Sequence, residues 1–179
     1  MASTRKYKRS RSYLFVDGYN VLNAWDLFQN MIDDRLEEAR ELLADILEEY
    51  AATEHVFVIL VFDAYRVKGN SGSVMAGKHM DVVFTQETVT ADRYIESEIA
   101  SMGRMDDVSV ATSDFVEQQI ILARGGKRIS ARELEILVKN AKGRTRKTAR
   151  NIRADKIFST SLDDENRKKL EKLKKELRE

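Results

Sequence analysis

Two apolar runs in this chain, Tyr13-Leu-Phe-Val16 and Val56 to Phe62, each break off at an aspartate, Asp17 and Asp63. Neither run alternates with polar residues. Each therefore predicts a strand buried on both faces, as in a parallel sheet covered by helices. Between them, Leu36, Ala39, Leu43, Ile46, Leu47 and Tyr50 recur at helical spacing within residues 34 to 50, with acids on the other faces, which predicts an amphipathic helix.

The same grammar continues downstream. The polar, glycine-containing stretch from Arg66 to Lys78 predicts a long loop, and Asp81 to Thr85 a third strand. Thr90 stands as N-cap to a helix bearing Tyr94, Ile95, Ile99 and Met102, with Gly103 as its stop. Val108 to Thr112 predicts a fourth strand, leading through Ser113-Asp114 into a helix over 115 to 124, and Arg128-Ile129 a minimal fifth strand. Ser130 and Glu133 spell a capping box for a helix over 131 to 142, which Gly143 is expected to interrupt. A basic helix over 144 to 158 and a charged helix capped by Ser161 and Asp164 complete the chain. Strands alternating with helices, through connections too long for hairpins, predict an α/β fold with a mainly parallel sheet.

Composition narrows the chemistry. The 179 residues include no Cys, which excludes a disulfide scaffold, an iron–sulfur cluster and a thiolate zinc site. No apolar run approaches the roughly 18 residues of a membrane span. The basic N-terminus lacks the apolar segment of a secretory signal, so a cytoplasmic protein with no membrane partner is expected. The net charge of +1 hides a segregation: residues 1 to 12 carry +5, residues 13 to 123 carry −14, and residues 124 to 156 carry +9. An acidic body between basic segments suits a protein that holds divalent cations and approaches a polyanion, although charge runs are also ordinary solvated helix faces.

In open parallel sheets, ligands bind beyond the carboxyl ends of the strands. The residues there are Asp17, Asp63, Asp92 shortly after the third strand, and Asp114 after the fourth, with Asn20 three residues beyond Asp17 and Glu96 one helical turn beyond Asp92. Singly, Asp92 and Asp114 suit the first turn of a helix and Asp17 suits an Asx turn. Together, four carboxylates on one sheet edge repel and raise one another's pKa unless a cation neutralises them. Oxygen donors without His or Cys select Mg²⁺ or Mn²⁺. Other Asp-rich α/β sites fit less well. Asp17-Gly18-Tyr19 is not the Asp-x-Asp of a haloacid-dehalogenase-type phosphatase, the acidic pair and lysine of a receiver domain are missing, and no phosphate-binding glycine loop occurs.

The strings Tyr13-Leu-Phe-Val-Asp-Gly-Tyr-Asn-Val21, Val61-Phe-Asp-Ala-Tyr-Arg66, Thr90-Ala-Asp-Arg93 and Ala111-Thr-Ser-Asp114 resemble, in order and distance, the motifs of NYN domains, a branch of the PIN-like nucleases. Within that branch the chain looks most like the bacterial YacP-type proteins, considered ribosome-associated endoribonucleases. The resemblance implies an NYN domain over residues 12–160, after a basic tail at 1–11 and before a charged helix at 161–179. It also implies a metal-dependent RNase in which Asp17, Asp63, Asp92 and Asp114 form the acidic cluster, with Asn20 and Ser113 as polar supporters. Some PIN-like members carry paired acids where this chain has Asp92-Arg93, which leaves Glu96 as either a substitute or a solvated helix residue.

In that reading Asp17 and Asp114 are the principal metal ligands, Asp92 completes the site, and Asp63 ligates directly or through water. Asn20 orients a carboxylate, and cleavage leaves a 5′-phosphate and a 3′-hydroxyl. Neither His55 nor His79 has an evident acid–base partner, so no catalytic histidine is expected. Candidate RNA-binding cations are Arg66 and Lys68 after the second strand, and Lys139, Lys142, Arg144, Arg146, Lys147, Arg150 and Arg153 in the basic segment. Tyr19 and Tyr65 can either stack on bases or plug the top of the core, and Trp25 reads as packing. The expected partners are RNA, mRNA above all, and the ribosome. The competing reading is a binding factor with a vestigial acidic site that docks RNA or ribosome without cutting.

Overall fold

Six strands line up in the order β3-β4-β2-β1-β5-β6 in the computed structural model, which describes residues 12–63, 72–102, 107–112, 126–148, 150, 166 and 168–169. The strands are β1 (Ser12–Asp17), β2 (Val56–Phe62), β3 (Ser73–Ala76), β4 (Met80–Phe84), β5 (Val108–Ala111) and β6 (Lys127–Ile129). All neighbours run parallel except β3, which pairs antiparallel with β4. The helices are α1 (Gly18–Ala24), α2 (Leu36–Glu54), α3 (Ala91–Met102) and α4 (residues 131–148), with a 3-10 turn at Asp26–Phe28. The chain divides into two units, Met1–Ala141 and Lys142–Glu179.

Period-two alternation along the buried strands separates the core into two layers. Leu14 and Val16 of β1, Val58, Leu60 and Phe62 of β2, Met80 of β4 and Ala111 of β5 face one side. There they meet α1, the Ala39/Leu43/Leu47/Ala51 stripe of α2, and Ala131, Leu134 and Val138 of α4. Tyr13, Phe15, Phe57, Ile59, Val61, Val83, Val108 and Val110 face the other side, under Ala91, Ile95 and Ile99 of α3. Each fully covered Leu, Ile or Phe contributes about 1.5–3 kcal/mol of hydrophobic stabilisation. Trp25 is packing, as expected: it stacks on Phe28, and its indole N–H donates to the Ala131 carbonyl at 2.7 Å.

The expected α/β architecture and all five expected strands are present. Thr90 caps α3 by accepting from the Arg93 N–H at 3.3 Å, and the capping box is closed by Ser130 N–H to Glu133 at 2.7 Å and Glu133 N–H to Ser130 Oγ at 3.2 Å. Three expectations need correction. The long loop contains β3, an exposed edge strand whose existence depends on its pairing with β4. Helix α1 begins directly after Asp17, where only a turn was expected; the Asp17 side chain caps it. Gly143 does not interrupt α4, which runs to residue 148; one interior glycine costs a helix only about 1 kcal/mol. Residues 166, 168 and 169 are helical, while the expected helix over 115 to 124 and the Ser161-Asp164 cap lie outside the described residues.

Candidate active site

Strand order reverses beside β1: β2 and β4 lie on one side of it, β5 and β6 on the other. The crevice beyond the carboxyl ends at such a reversal is where open α/β sheets bind ligands. Asp17 ends β1 there. Register places Asp17 level with Val61 of β2, and alternation puts both Asp17 and, two residues further, Asp63 on the face that α3 covers. Asp92 stands in the first turn of α3. The sheet and one helix thus deliver three carboxylates to one corner.

Their proximity registers at Asp17, whose pKa is raised from 3.8 to about 6. Burial is the largest cause, and the negative charges of Asp92 and Asp63 add to it. The backbone N–H groups of Asn20 and Tyr19, in the first turn of α1, oppose it; the Asn20 N–H donates to Asp17 Oδ1 at 3.1 Å. Asp17 is therefore held by its main-chain partners in a place that disfavours its ionised form, the condition that a divalent ion reverses. The donors are hard oxygens, suited to Mg²⁺ or Mn²⁺. Asp17, Asp63 and Asp92 do not make a cage by themselves: among the described residues, no group of three His, Asp or Glu side chains is arranged to hold a metal ion.

Asp114 and Ser113, like Arg66, Lys68 and Tyr65, lie outside the described residues. Glu96 is half-buried one turn along α3 from Asp92; among the described residues, the negative charges that raise Asp17 are those of Asp92 and Asp63. In the second unit, Arg144, Arg146, Lys147 and Arg150 are exposed helical residues; Lys139 of α4 is engaged by Glu135 at 2.5 Å, and Arg153 lies outside the described residues. Tyr19 packs edge-on against Phe62 with ring centroids 5.3 Å apart, and the Arg40 guanidinium donates to its hydroxyl; of its two expected roles the structure displays the plug. The histidines sit at the opposite, amino edge of the sheet: His55 caps α2 with φ of 55°, and the His79 carbonyl accepts from Val58 N–H.

Two further residues at the carboxyl edge carry no charge and escaped the sequence reading. Thr85, 2% exposed, follows β4 level with Asp63, and Thr112, fully buried, follows β5 level with Asp17. Both lie one step past an apolar run, which is the signal that could have drawn notice. Gly18 is a further requirement: a Cβ there would lie 2.2 Å from the Phe62 ring, so only glycine lets the start of α1 sit against the end of β2.

The described residues contain no helix long and apolar enough to cross a membrane. The YacP-like NYN domain family model matches residues 14–175. Uncharacterized protein YacP of Bacillus subtilis (strain 168) is 36% identical over 161 residues, spanning 89% of this chain and 94% of that protein. The crystal structure of Rae1 (YacP) from Bacillus subtilis superposes with a TM-score of 0.69 at 35% identity, covering 92% of this chain and 95% of that one. The crystal structure of a point mutant of the same Bacillus subtilis protein gives 0.68 at 34% identity, with 80% and 84% covered. A match running nearly end to end, on a fold whose strand ends carry the ordered motifs, shows that the chain belongs to the YacP-like NYN domain family.

Proposed function

We propose that this protein is a metal-dependent endoribonuclease that hydrolyses RNA phosphodiester bonds, with mRNA in a ribosome-associated setting as its substrate. The observation that carries the reading is the state of Asp17: a half-buried carboxyl at the strand-order reversal, pushed up to about 6 by burial and by the charges of Asp92 and Asp63. Carboxyls perturbed this far cluster at functional sites. Asp17, Asp92 and Asp114 would hold Mg²⁺ or Mn²⁺, with Asp63 beside them. When bound, the ion supplies positive charge to the phosphoryl oxygens and eases deprotonation of water.

The chain's own residues do the rest. The Tyr19 and Asn20 amides fix the Asp17 carboxylate, so that its oxygens present a constant direction to the crevice. Asp63, on the same sheet face, would ligate the ion directly or through a bound water. Ser113 and the Asn20 side chain are polar groups for orienting carboxylates and phosphate. Arg66, Lys68 and the exposed Arg144, Arg146, Lys147 and Arg150 offset the repulsion between an acidic site and an anionic backbone.

The test is purified protein incubated with RNA in Mn²⁺ and in EDTA, beside Asp17→Asn and Asp92→Asn. Cleavage that needs the ion and is lost in both variants, leaving 5′-phosphate ends, supports the reading. Cleavage that ignores EDTA removes it. RNA or ribosome binding without cleavage by wild-type protein replaces it with the non-catalytic binding factor.

A further inference from the structure

The α2 side of the same sheet edge contains a charge that the proposed chemistry leaves unused. Arg40, in the second turn of α2, is 7% exposed among aromatic rings. Its guanidinium carbon lies 5.5, 5.9 and 5.8 Å from the ring centroids of Tyr19, Phe62 and Phe84, and Phe62 stacks on Phe84 with centroids 5.5 Å apart. One terminal nitrogen donates to the Tyr19 hydroxyl and the other to the Glu37 carboxylate, while Nε is buried without a hydrogen-bond partner among the described residues. An apolar side chain of similar volume would fill this space without the desolvation of a charge or an unmade bond. What arginine adds is direction: a planar cation bonded to one ring and lying over all three fixes their mutual positions.

Those rings belong to the segments that deliver the acids. Tyr19 contributes one of the two backbone N–H groups that hold Asp17. Phe62 immediately precedes Asp63, and its ring fills the place where a side chain at position 18 would go. The terminal nitrogens of Arg40 are engaged by Tyr19 and Glu37, so it acts on the corner through the rings it holds rather than as a counter-ion. We propose that Arg40 is a positioning residue: by clamping Tyr19 to Phe62 and Phe84 it sets the separation and orientation of Asp17 and Asp63. The catalytic part of this inference rests on the nuclease reading; the geometric part does not.

Two mild variants test it, Arg40→Lys, which keeps the charge but not the planar fork, and Tyr19→Phe, which keeps the ring but not the hydroxyl. Amide hydrogen exchange well below the unfolding transition reads the clamp itself. Exchange at Tyr19 and Asn20 should rise about tenfold in both variants while Ile59 and Leu60 in the core keep their wild-type protection. In Mn²⁺-supported RNA cleavage, kcat should fall about tenfold with KM within about twofold of wild type, as expected when reacting groups are displaced without loss of substrate affinity. Wild-type exchange at Tyr19 and Asn20 in both variants overturns the clamp. So does a parallel rise at Ile59 and Leu60, which would make Arg40 a general stabiliser. If wild-type protein cleaves no RNA, the nuclease reading falls and the exchange result alone decides whether Arg40 holds the corner.

Discussion

Aspartates stand at both edges of the sheet, and the protein treats them in opposite ways. At the amino edge, Asp107 accepts from the Ser12 hydroxyl and lies 3.2 Å from the Lys127 ammonium, and these two partners hold its carboxyl below the usual range. At the carboxyl edge, Asp17 is buried near two further negative charges and is pushed up to about 6. Both follow from strand geometry, since each lies at a strand terminus. The difference lies in the surroundings each has been given: an exposed hydroxyl and cation for Asp107, burial first and other carboxylates second for Asp17. Satisfied carboxylates staple strands together; in the proposed reading a bound cation completes the charge balance of the repelling ones.

The sharpest way to break this contrast is Asp17→Asn. Asparagine caps a helix as well as aspartate does, so α1 should survive. Cleavage is expected to fall by about a thousandfold, since metal and nucleophile would lose a principal anchor. Stability should move the other way. A carboxyl with a folded pKa of about 6 against 3.8 unfolded binds more protons when folded, so the wild-type fold loses stability as pH rises from about 4 to 6. The variant should therefore be more stable by about 1–3 kcal/mol at pH 8 and equal to wild type below pH 4, as read by thermal unfolding. Unchanged stability at pH 8 would place Asp17 with Asp107 as a satisfied carboxylate.

Gly18→Ala attacks the same corner by shape. The added methyl meets the Phe62 ring, and a loss of about 1–3 kcal/mol, measured by denaturant unfolding, is expected together with reduced cleavage. Replacing Arg144, Arg146, Lys147 and Arg150 by Ala should weaken RNA binding about tenfold and reduce its log–log salt dependence by up to about 3. Unaltered binding in a salt titration would return that helix to an ordinary solvated face. Asp107→Asn should do least. Its contribution is present above the ordinary carboxylate range and lost as pH falls through its lowered pKa, and with solvent screening it amounts to no more than about 1 kcal/mol, with cleavage unchanged.

What could be read in advance was set by abrupt changes in the chain. Apolar runs that stop at Asp17 and Asp63, and the Thr90 and Ser130 caps, are local signals, and the structure places strand ends and helix starts there. What escaped depends on partners distant in sequence. β3 is a strand because β4 lies beside it, since Ser73–Ala76 is exposed throughout and shows no alternation. α1, with Gly18 and Asn20 near its start, has poor intrinsic propensity; the Asp17 cap and the close packing of Gly18 on Phe62 stabilise it. Arg40 sits in an acidic helix, where Glu37 suggests an ordinary surface pair, and only the meeting of Tyr19, Phe62 and Phe84 reveals a buried cation. Thr85 and Thr112 carry no charge pattern, and their burial level with the two acids emerges from register alone.

Calorimetric titration of Mn²⁺ at pH 7.5 into wild-type protein, Asp17→Asn, Asp92→Asn and Asp107→Asn tests the central claim most directly. Saturable binding by wild type and Asp107→Asn, lost in Asp17→Asn and Asp92→Asn although both keep wild-type circular dichroism, is the predicted result. Absence of binding to wild type, or equal binding by all four proteins, contradicts it.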